Sequence, residues 1–166
     1  PFARGAEQAD VSGHNFALSM LGVGEVEFRN GSAAFRGHSG LFTPTRFDLS
    51  GFRAVTVECF VRTVSTNAPL LLETSGNYNN IAGAFAVSTG MSSNDTMGAG
   101  YRTGDGYNIE YASKGSLSDG AWHHVAYVID LNAAGGTELT RLYLDGVRQY
   151  KSSSHRSAMA TPFASD

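Results

Sequence analysis

Residues 119–150 carry the pattern that most limits what this chain can fold into. Trp122 to Asp130 alternates between two faces that are both largely apolar, which predicts a strand in the middle of a sheet, covered on both sides. After a polar turn, Leu139 to Leu144 is predicted to form a second strand. The Asp145-Gly146 pair that follows, ahead of Val147 to Tyr150, indicates a hairpin, because both residues of such a turn must adopt positive φ.

The rest of the chain also has the pattern of short strands separated by turns. Turn signals recur every eight to twelve residues, and no window has a convincing helical period, so the sequence predicts an all-β sandwich. Further strands are predicted at Phe16–Met20, Glu25–Arg29, Ser32–Arg36, Leu41–Thr43, Ala54–Arg62, Leu70–Thr74, Ile81–Thr89, Ala99–Arg102 and Tyr107–Ala112.

Length and charge exclude several classes of protein. The chain has 166 residues, which predicts a single domain over residues 1–166. Only 16% of the residues are charged, the net charge is -3, and no basic block occurs. Nucleic acid and anionic membrane are therefore not expected as partners, and the lack of an eighteen-residue apolar run predicts no transmembrane segment. The sequence begins at Pro1 without a signal peptide, which predicts a mature or excised portion of a longer protein.

The strand predicted at Ala54–Arg62 has two different faces. Val55, Val57, Cys59 and Val61 share one face, so Cys59, the only cysteine, is predicted to be a small buried hydrophobe that forms no intrachain disulfide. The other face combines charge with one aromatic ring, as a ligand-binding sheet face does and as a solvated face also does. Its residues are Thr56, Glu58, Phe60 and Arg62.

Two motifs in the 119–150 stretch carry a family resemblance. Trp-His-His-Val-Ala at 122–126 is followed about fifteen residues later by Leu-Tyr-Leu-Asp-Gly at 142–146. This pairing resembles the laminin-G-like branch of the concanavalin A-like lectin/glucanase superfamily, and segments near Asp10 and at 47–51 are similar to other parts of that family. The resemblance implies a jelly roll of two antiparallel sheets. It does not imply a particular ligand, because both motifs belong to the scaffold.

The end of the chain departs from the family pattern. The resemblance covers roughly Asp10 to Tyr150, and the closing strands of the family are not recognisable in the polar, Ser-rich residues 151–166. Either these residues are a truncated portion of the domain, or another segment replaces the last strand. An unclosed sheet has an edge of unpaired backbone groups, which is a site of docking or of self-association.

Glycoside hydrolysis would need two carboxylates about 5 Å apart for a retaining mechanism. The Glu-x-Asp-x-x-Glu spacing of the glucanase relatives is not found. Glu25 and Glu27 share a face of the first hairpin, and Glu58 and Glu110 are isolated in the sequence. The sequence therefore predicts a protein that is not an enzyme.

Histidine and oxygen ligands offer two kinds of metal site. His123 and His124 are adjacent, so in a strand they point to opposite faces and cannot chelate one ion; one is predicted to donate a hydrogen bond within the sandwich. A zinc site would have to draw on His14, His38 or His155. Calcium is the cofactor that the resemblance implies, with loop oxygens as ligands, although such residues also serve turn geometry. The calcium candidates are Asn94, Asp95, Asp105, Asp119 and Asn79.

Sugar sites combine an aromatic ring with side chains that hydrogen-bond hydroxyl groups. Three groups of residues meet this description, although loop tyrosines also pack over the ends of sandwiches. They are Tyr78 with Asn77, Asn79 and Asn80; Tyr101 with Arg102 and Tyr107; and Phe60 with Glu58 and Arg62 as a sheet floor.

These observations favour a non-catalytic recognition module that binds carbohydrate and belongs to a larger secreted or surface protein. The expected location is extracellular, at the cell surface or periplasmic, and the expected partner is a glycan or a cell-surface protein. The alternative is a structural or adhesive module that binds protein or associates with itself through an open edge. An enzyme of an unrecognised type is the third hypothesis.

Overall fold

The computed structural model describes residues 13–14, 16, 18–22, 24–29, 31–44, 47–65, 70–75, 77, 79–89, 97–111, 117–133, 138–149, 151–152, 157 and 159–164. Within these residues every regular element is a β-strand, and the paired strands run antiparallel. The all-β class is therefore confirmed. In this part of the chain no helix is long and apolar enough to cross a bilayer. The chain divides into two compact units, Pro1–Phe47 and Asp48–Asp166.

The first unit contains two strand pairs. Its strands are β1 (Ser19–Gly22), β2 (Glu25–Arg29), β3 (Ser32–Arg36) and β4 (Ser39–Phe42). β2 and β3 form the predicted hairpin, with Gly31 at a φ of 78° in its turn. β1 pairs with β4, which begins two residues before its predicted position because Gly40 pairs with Leu21.

The second unit contains two larger sheets. Its strands are β5 (Ala54–Val61), β6 (Leu70–Glu73), β7 (Phe85–Ser88), β8 (Gly98–Arg102), β9 (Tyr107–Tyr111), β10 (His123–Asp130), β11 (Thr140–Leu144), β12 (Val147–Gln149) and β13 (Lys151–Ser152). One sheet has the order β12-β11-β10-β5, and the other has the order β13-β9-β8-β7-β6.

The two sheets of this unit pack face to face over one hydrophobic core. Phe85 on β7 lies 6.5 Å from Tyr127 on β10, measured between ring centroids, and both side chains are buried. The alternation of β10 places Val125, Tyr127 and Ile129 on this inner face. This is the two-sheet sandwich that the family resemblance implied.

The 119–150 stretch folds largely as its pattern predicts. β10 lies between β5 and β11, and Leu144 pairs with Val147 across a two-residue turn. Asp145 and Gly146 have φ values of 51° and 76°, so the predicted hairpin is confirmed. The prediction that β10 is covered on both sides holds in part: on the outer side Ala126 is buried and Val128 is half-buried, whereas Trp122, just before the strand, is 51% exposed.

The strand predicted at Ile81–Thr89 is shorter, since β7 begins only at Phe85. The amide of Ile81 donates to the Asn77 carbonyl at 3.3 Å, and Ala84 donates to the Ile81 carbonyl at 3.1 Å. Gly83 adopts a φ of 89°. Turn hydrogen bonds and this left-handed residue therefore replace the first half of the predicted strand, which an alternation of small residues alone could not show.

The structure also corrects the prediction that Cys59 is buried. Its position on β5 opposite Val125 matches the expected inner face, yet the residue is exposed. β5 is the outermost strand of its sheet among the described residues, so its inner side chains meet the core from one side only. The prediction of a buried cysteine is therefore wrong.

The last described residues return to the five-stranded sheet. β13 pairs with β9, the Ser157 amide donates to the Tyr107 carbonyl at 3.2 Å, and the Ala164 amide donates to the Gly83 carbonyl at 3.1 Å. Phe163 is buried between the rings of Phe85 and Tyr101. This segment therefore contributes to the core of the second unit.

Candidate functional site

The register between β5 and β10 assembles an exposed cluster on the outer side of the four-stranded sheet. Phe60 pairs with His124, and Glu58 pairs with Ala126, so the outward side chains of both strands stand side by side. Phe60 is 71% exposed. We call this cluster the aromatic face and define it as Glu58, Phe60, Arg62, Trp122 and His124.

The side chains of the aromatic face contact one another in three pairs. The Phe60 and His124 rings lie 5.0 Å apart between centroids. Glu58 Oε2 lies 3.4 Å from His124 Nε2. The guanidinium carbon of Arg62 lies 5.2 Å from the centre of the Trp122 ring, within the range of a cation–π contact. Two large rings are therefore exposed beside a carboxylate, an imidazole and a guanidinium.

This arrangement has the chemistry needed to hold a polar ring compound. The exposed faces of Trp122 and Phe60 can cover apolar C–H groups, while the charged ends can donate and accept hydrogen bonds at its edge. Sequence reasoning had already placed Glu58, Phe60 and Arg62 on one outward face. It missed Trp122 and His124 because both lie in the scaffold motif. The two-residue period of a strand would have found them, because it places Trp122 and His124 on the same face.

The loop candidates lie at one end of the five-stranded sheet. The Tyr107 hydroxyl donates to the Asn79 carbonyl at 3.0 Å, and the Arg102 guanidinium lies 4.2 Å from the centre of the Tyr107 ring. Asn77 and Asn80 are exposed in the adjoining turn. The structure thus joins residues from two groups that were separate in the sequence. Tyr78 lies outside the described residues.

Tyr101 is not at this surface. Its side chain is buried in the core, where its hydroxyl donates to the Thr161 carbonyl. Burial raises the pKa of this phenol to about 12. A ligand cannot stack on a ring with no exposed area, so the expected sugar contact at Tyr101 is corrected: strand alternation turns Tyr101 toward the core and Arg102 outward.

The described calcium candidates are engaged within the protein. The Asp105 carboxylate accepts hydrogen bonds from the Ser157 and Thr103 hydroxyls, which lower its pKa. Asp119 binds Ala121 and His123. Among the residues that the structure describes, no three His, Cys, Asp or Glu side chains form a metal-binding group. Asn94 and Asp95 lie outside the described residues, so calcium binding there stays a prediction.

His123 and His124 point to opposite faces of β10, as predicted. His123 Nδ1 lies 2.8 Å from Asp145 Oδ2, and its Nε2 lies 3.1 Å from Asp119 Oδ1. The hydrogen bond to Asp145, and then that to Asp119, raise the pKa of His123, with partial burial acting against them. The hydrogen-bonding role predicted for one histidine therefore falls to His123, with loop carboxylates as its partners.

Comparison with known proteins identifies the family to which the fold of this chain belongs. Residues 35–165 match the laminin G family described as the concanavalin A-like lectin/glucanases superfamily. Searches of curated proteins and of solved structures each found no match. The family match spans well over half of the 166 residues, and the antiparallel sandwich is the fold expected of its members. The chain therefore belongs to the concanavalin A-like lectin/glucanases superfamily.

Proposed function

We propose that this protein is a non-catalytic carbohydrate-recognition module whose principal contact surface is the aromatic face. One observation carries the proposal: Trp122 and Phe60 are both more than half exposed on one side of a sheet, beside polar groups that can bind hydroxyls. Exposed rings that lie together on a folded surface usually mark a site of interaction.

The aromatic face favours a sugar because of how its polar groups are placed. Glu58 accepts hydrogen bonds, Arg62 donates them, and His124 can do either. These groups surround the rings within about one residue spacing along each strand, so a ligand covering a ring meets them at its edge. Saccharides present this combination of an apolar face and a rim of hydroxyl groups.

The positions of the carboxylates support a binding role over hydrolysis. Glu110 is buried in the interior, where it accepts a hydrogen bond from Thr140. Glu58 lies on the outer side of the other sheet and binds His124. A retaining hydrolase would need two such groups about 5 Å apart across one cleft, and Glu58 and Glu110 face different environments.

The turn at Asn77–Asn80, with Arg102 and Tyr107, is proposed as a secondary contact for a longer glycan. Its exposed amides and its Arg102–Tyr107 stack have the same chemistry as the aromatic face. Tyr78 belongs to this proposal by sequence. We infer an extracellular, surface or periplasmic setting in a larger protein, as the family resemblance suggested. Calcium is a proposed cofactor with Asn94 and Asp95 as its ligands; Asp119, whose carboxylate binds Ala121 and His123, is not among them.

A glycan array with matched variants tests the proposal. The wild type should bind at least one glycan, and Trp122→Ala and Phe60→Ala should each reduce that binding by tenfold or more. Phe52→Ala is the control, because Phe52 is similarly exposed but lies outside the aromatic face. Tyr78→Ala and Tyr107→Ala test the secondary contact, and repeating the array with a chelator tests calcium. A well-folded protein that binds no glycan would contradict the proposal.

A second candidate function is adhesion through strand addition. Among the described strands, β5 ends its sheet, and Val64 just beyond it is 78% exposed. Such an edge can accept a strand from a second copy or from a partner protein. A molar mass that rises with concentration, and falls back to the monomer in Val64→Lys, would favour this function. A monomer at all concentrations would leave recognition by the aromatic face as the only candidate.

A further inference from the structure

His123 occupies an unusual position between two carboxylates. Asp145 approaches Nδ1 and Asp119 approaches Nε2, so the two acids lie on opposite sides of the imidazole ring. Groups placed in this way cannot share one metal ion with the ring. Each ring nitrogen instead faces an acceptor oxygen at hydrogen-bond distance.

Only the doubly protonated ring can donate a hydrogen bond to both of these oxygens at once. A neutral imidazole has one N–H donor and one lone pair, so one of its nitrogens would face a carboxylate oxygen without a proton between them. The contact with Asp145 is the shorter one, at 2.8 Å against 3.1 Å, and Asp145 Oδ1 is also held by the His124 amide at 2.8 Å. The contact that opens on deprotonation is therefore that with Asp119.

Asp119 connects the imidazole to the loop that carries Trp122. Its Oδ1 also accepts from the Ala121 amide at 2.7 Å. The loop is also tied at two points to the residues that follow β5: the Ser118 hydroxyl donates to the Ser65 carbonyl at 2.6 Å, and the Gly120 amide donates to the Thr63 carbonyl at 3.0 Å. Trp122 follows this loop and directly precedes His123, so the position of the indole depends on all three attachments.

Three elements besides β10 supply the charged and titratable side chains near His123. The 117–122 loop supplies Asp119, and the turn between β11 and β12 supplies Asp145. β5 supplies Cys59 on the same sheet face, with Glu58 and Arg62 on the opposite face beside His124. The two aspartates are the groups in hydrogen-bond contact with the ring.

We propose that His123 is a proton-dependent positioning residue: doubly protonated, it holds Asp119 of the 117–122 loop and so orders Trp122 on the aromatic face, and on losing a proton it releases Asp119, leaving the Ser118 and Gly120 bonds to hold the loop. The consequence for ligand binding rests on the function proposed above, whereas the movement of Trp122 does not. The aromatic face is then best ordered in mildly acidic solution and loosens as the pH rises.

Trp122 is the only tryptophan in the chain, so its fluorescence reports on this movement without a ligand. Between pH 5 and 9 the wild type should show one transition, with a midpoint above the ordinary histidine value of 6.5. His123→Gln should abolish the transition. Asp119→Asn should lower its midpoint, because the bond to Asp119 helps to raise the pKa of His123.

Two controls separate His123 from the other histidines. His124→Gln alters the adjacent ring on the aromatic face, and His38→Gln alters an exposed histidine of the first unit. Both should retain the transition. A transition that persists in His123→Gln, or that disappears in His124→Gln instead, would overturn the proposal.

A measurement on the wild-type protein tests the proposal without relying on variants, which can fail to fold. Nitrogen-15 NMR of the imidazoles should show both nitrogens of His123 protonated at pH 6. A single neutral tautomer at that pH would overturn the proposal. If the array identifies a glycan, the affinity of the wild type for that glycan should be severalfold higher at pH 6 than at pH 8.5. His123→Gln should remove this difference in affinity. A blank array would contradict the proposed function and leave the fluorescence result valid.

Discussion

Glu110 on β9 accepts a hydrogen bond from the Thr140 hydroxyl on β11, at 2.9 Å, across the interior of the sandwich. Both residues are buried, and they belong to different sheets. A buried carboxyl group is costly unless its oxygens are hydrogen-bonded, so this bond offsets part of the cost of burying Glu110 and links the two sheets across the core. It also removes Glu110 from any surface where it could act on a substrate.

Thr140→Val should destabilise the protein by about 1–3 kcal/mol, because the isosteric side chain leaves a Glu110 oxygen without this donor. Urea denaturation followed by circular dichroism measures the change. Thr56→Val is the matched control, since Thr56 is exposed on β5 and should change stability by less than about 0.5 kcal/mol. Equal losses in the two variants would contradict a structural role for this bond.

Gly83→Ala should be strongly destabilising, by about 2 kcal/mol or more, and should loosen the last residues of the chain. Gly83 has a φ of 89°, and a Cβ added there would lie 2.2 Å from the Pro162 carbonyl oxygen. Gly146→Ala is the control, because Gly146 has a φ of 76° but no atom within 4 Å of such a Cβ. Limited proteolysis should cleave near residues 157–164 in Gly83→Ala first. Equal behaviour of the two variants would show that the close approach does not matter.

The stability of the protein should depend on pH through His123 and its two partners. The pKa of His123 is raised, so its contribution is fully present below the unfolded value near 6.5 and is lost as the pH rises through the folded value. The pKa of Asp145 is lowered by His123, and that of Asp119 by Ala121 and then His123, so their contributions are lost as the pH falls through their folded values. The combined contribution is therefore greatest between about pH 4 and 6.5.

Urea denaturation at pH 6 and pH 8.5 measures this dependence. The wild type should lose stability between the two values, and His123→Gln should lose clearly less. Parallel losses in both proteins would show that another group is responsible.

Cys59 should react with a maleimide in the native protein, because the residue is exposed at the edge of its sheet. The reaction should be slower than that of a small free thiol at the same pH, since partial desolvation raises the pKa of the Cys59 thiol and lowers the thiolate fraction. Mass spectrometry of the labelled protein measures the rate, with Cys59→Ser as the blank. Labelling that occurs only in denaturant would contradict the exposure of β5.

Local sequence patterns predicted those features of the fold that depend only on neighbouring residues in one strand or turn. The Asp145-Gly146 turn, the opposed faces of His123 and His124, and the outward set Glu58, Phe60 and Arg62 all follow from the two-residue period of a strand. These features needed no knowledge of which strands pair. They leave the candidate site incomplete, because they do not identify which strand pairs with β5.

The sequence by itself determined the all-β class, the family and the alternation of each long strand, because turn residues and side-chain period act over a few neighbouring positions. Only the tertiary structure decided that His124 stands beside Phe60 and Trp122 beside Arg62, that Tyr101 and Glu110 face the core, and that His123 lies between two loop carboxylates. Those relationships join residues far apart in the chain. They depend on strand order and register, which the packing of whole sheets selects and no local pattern encodes.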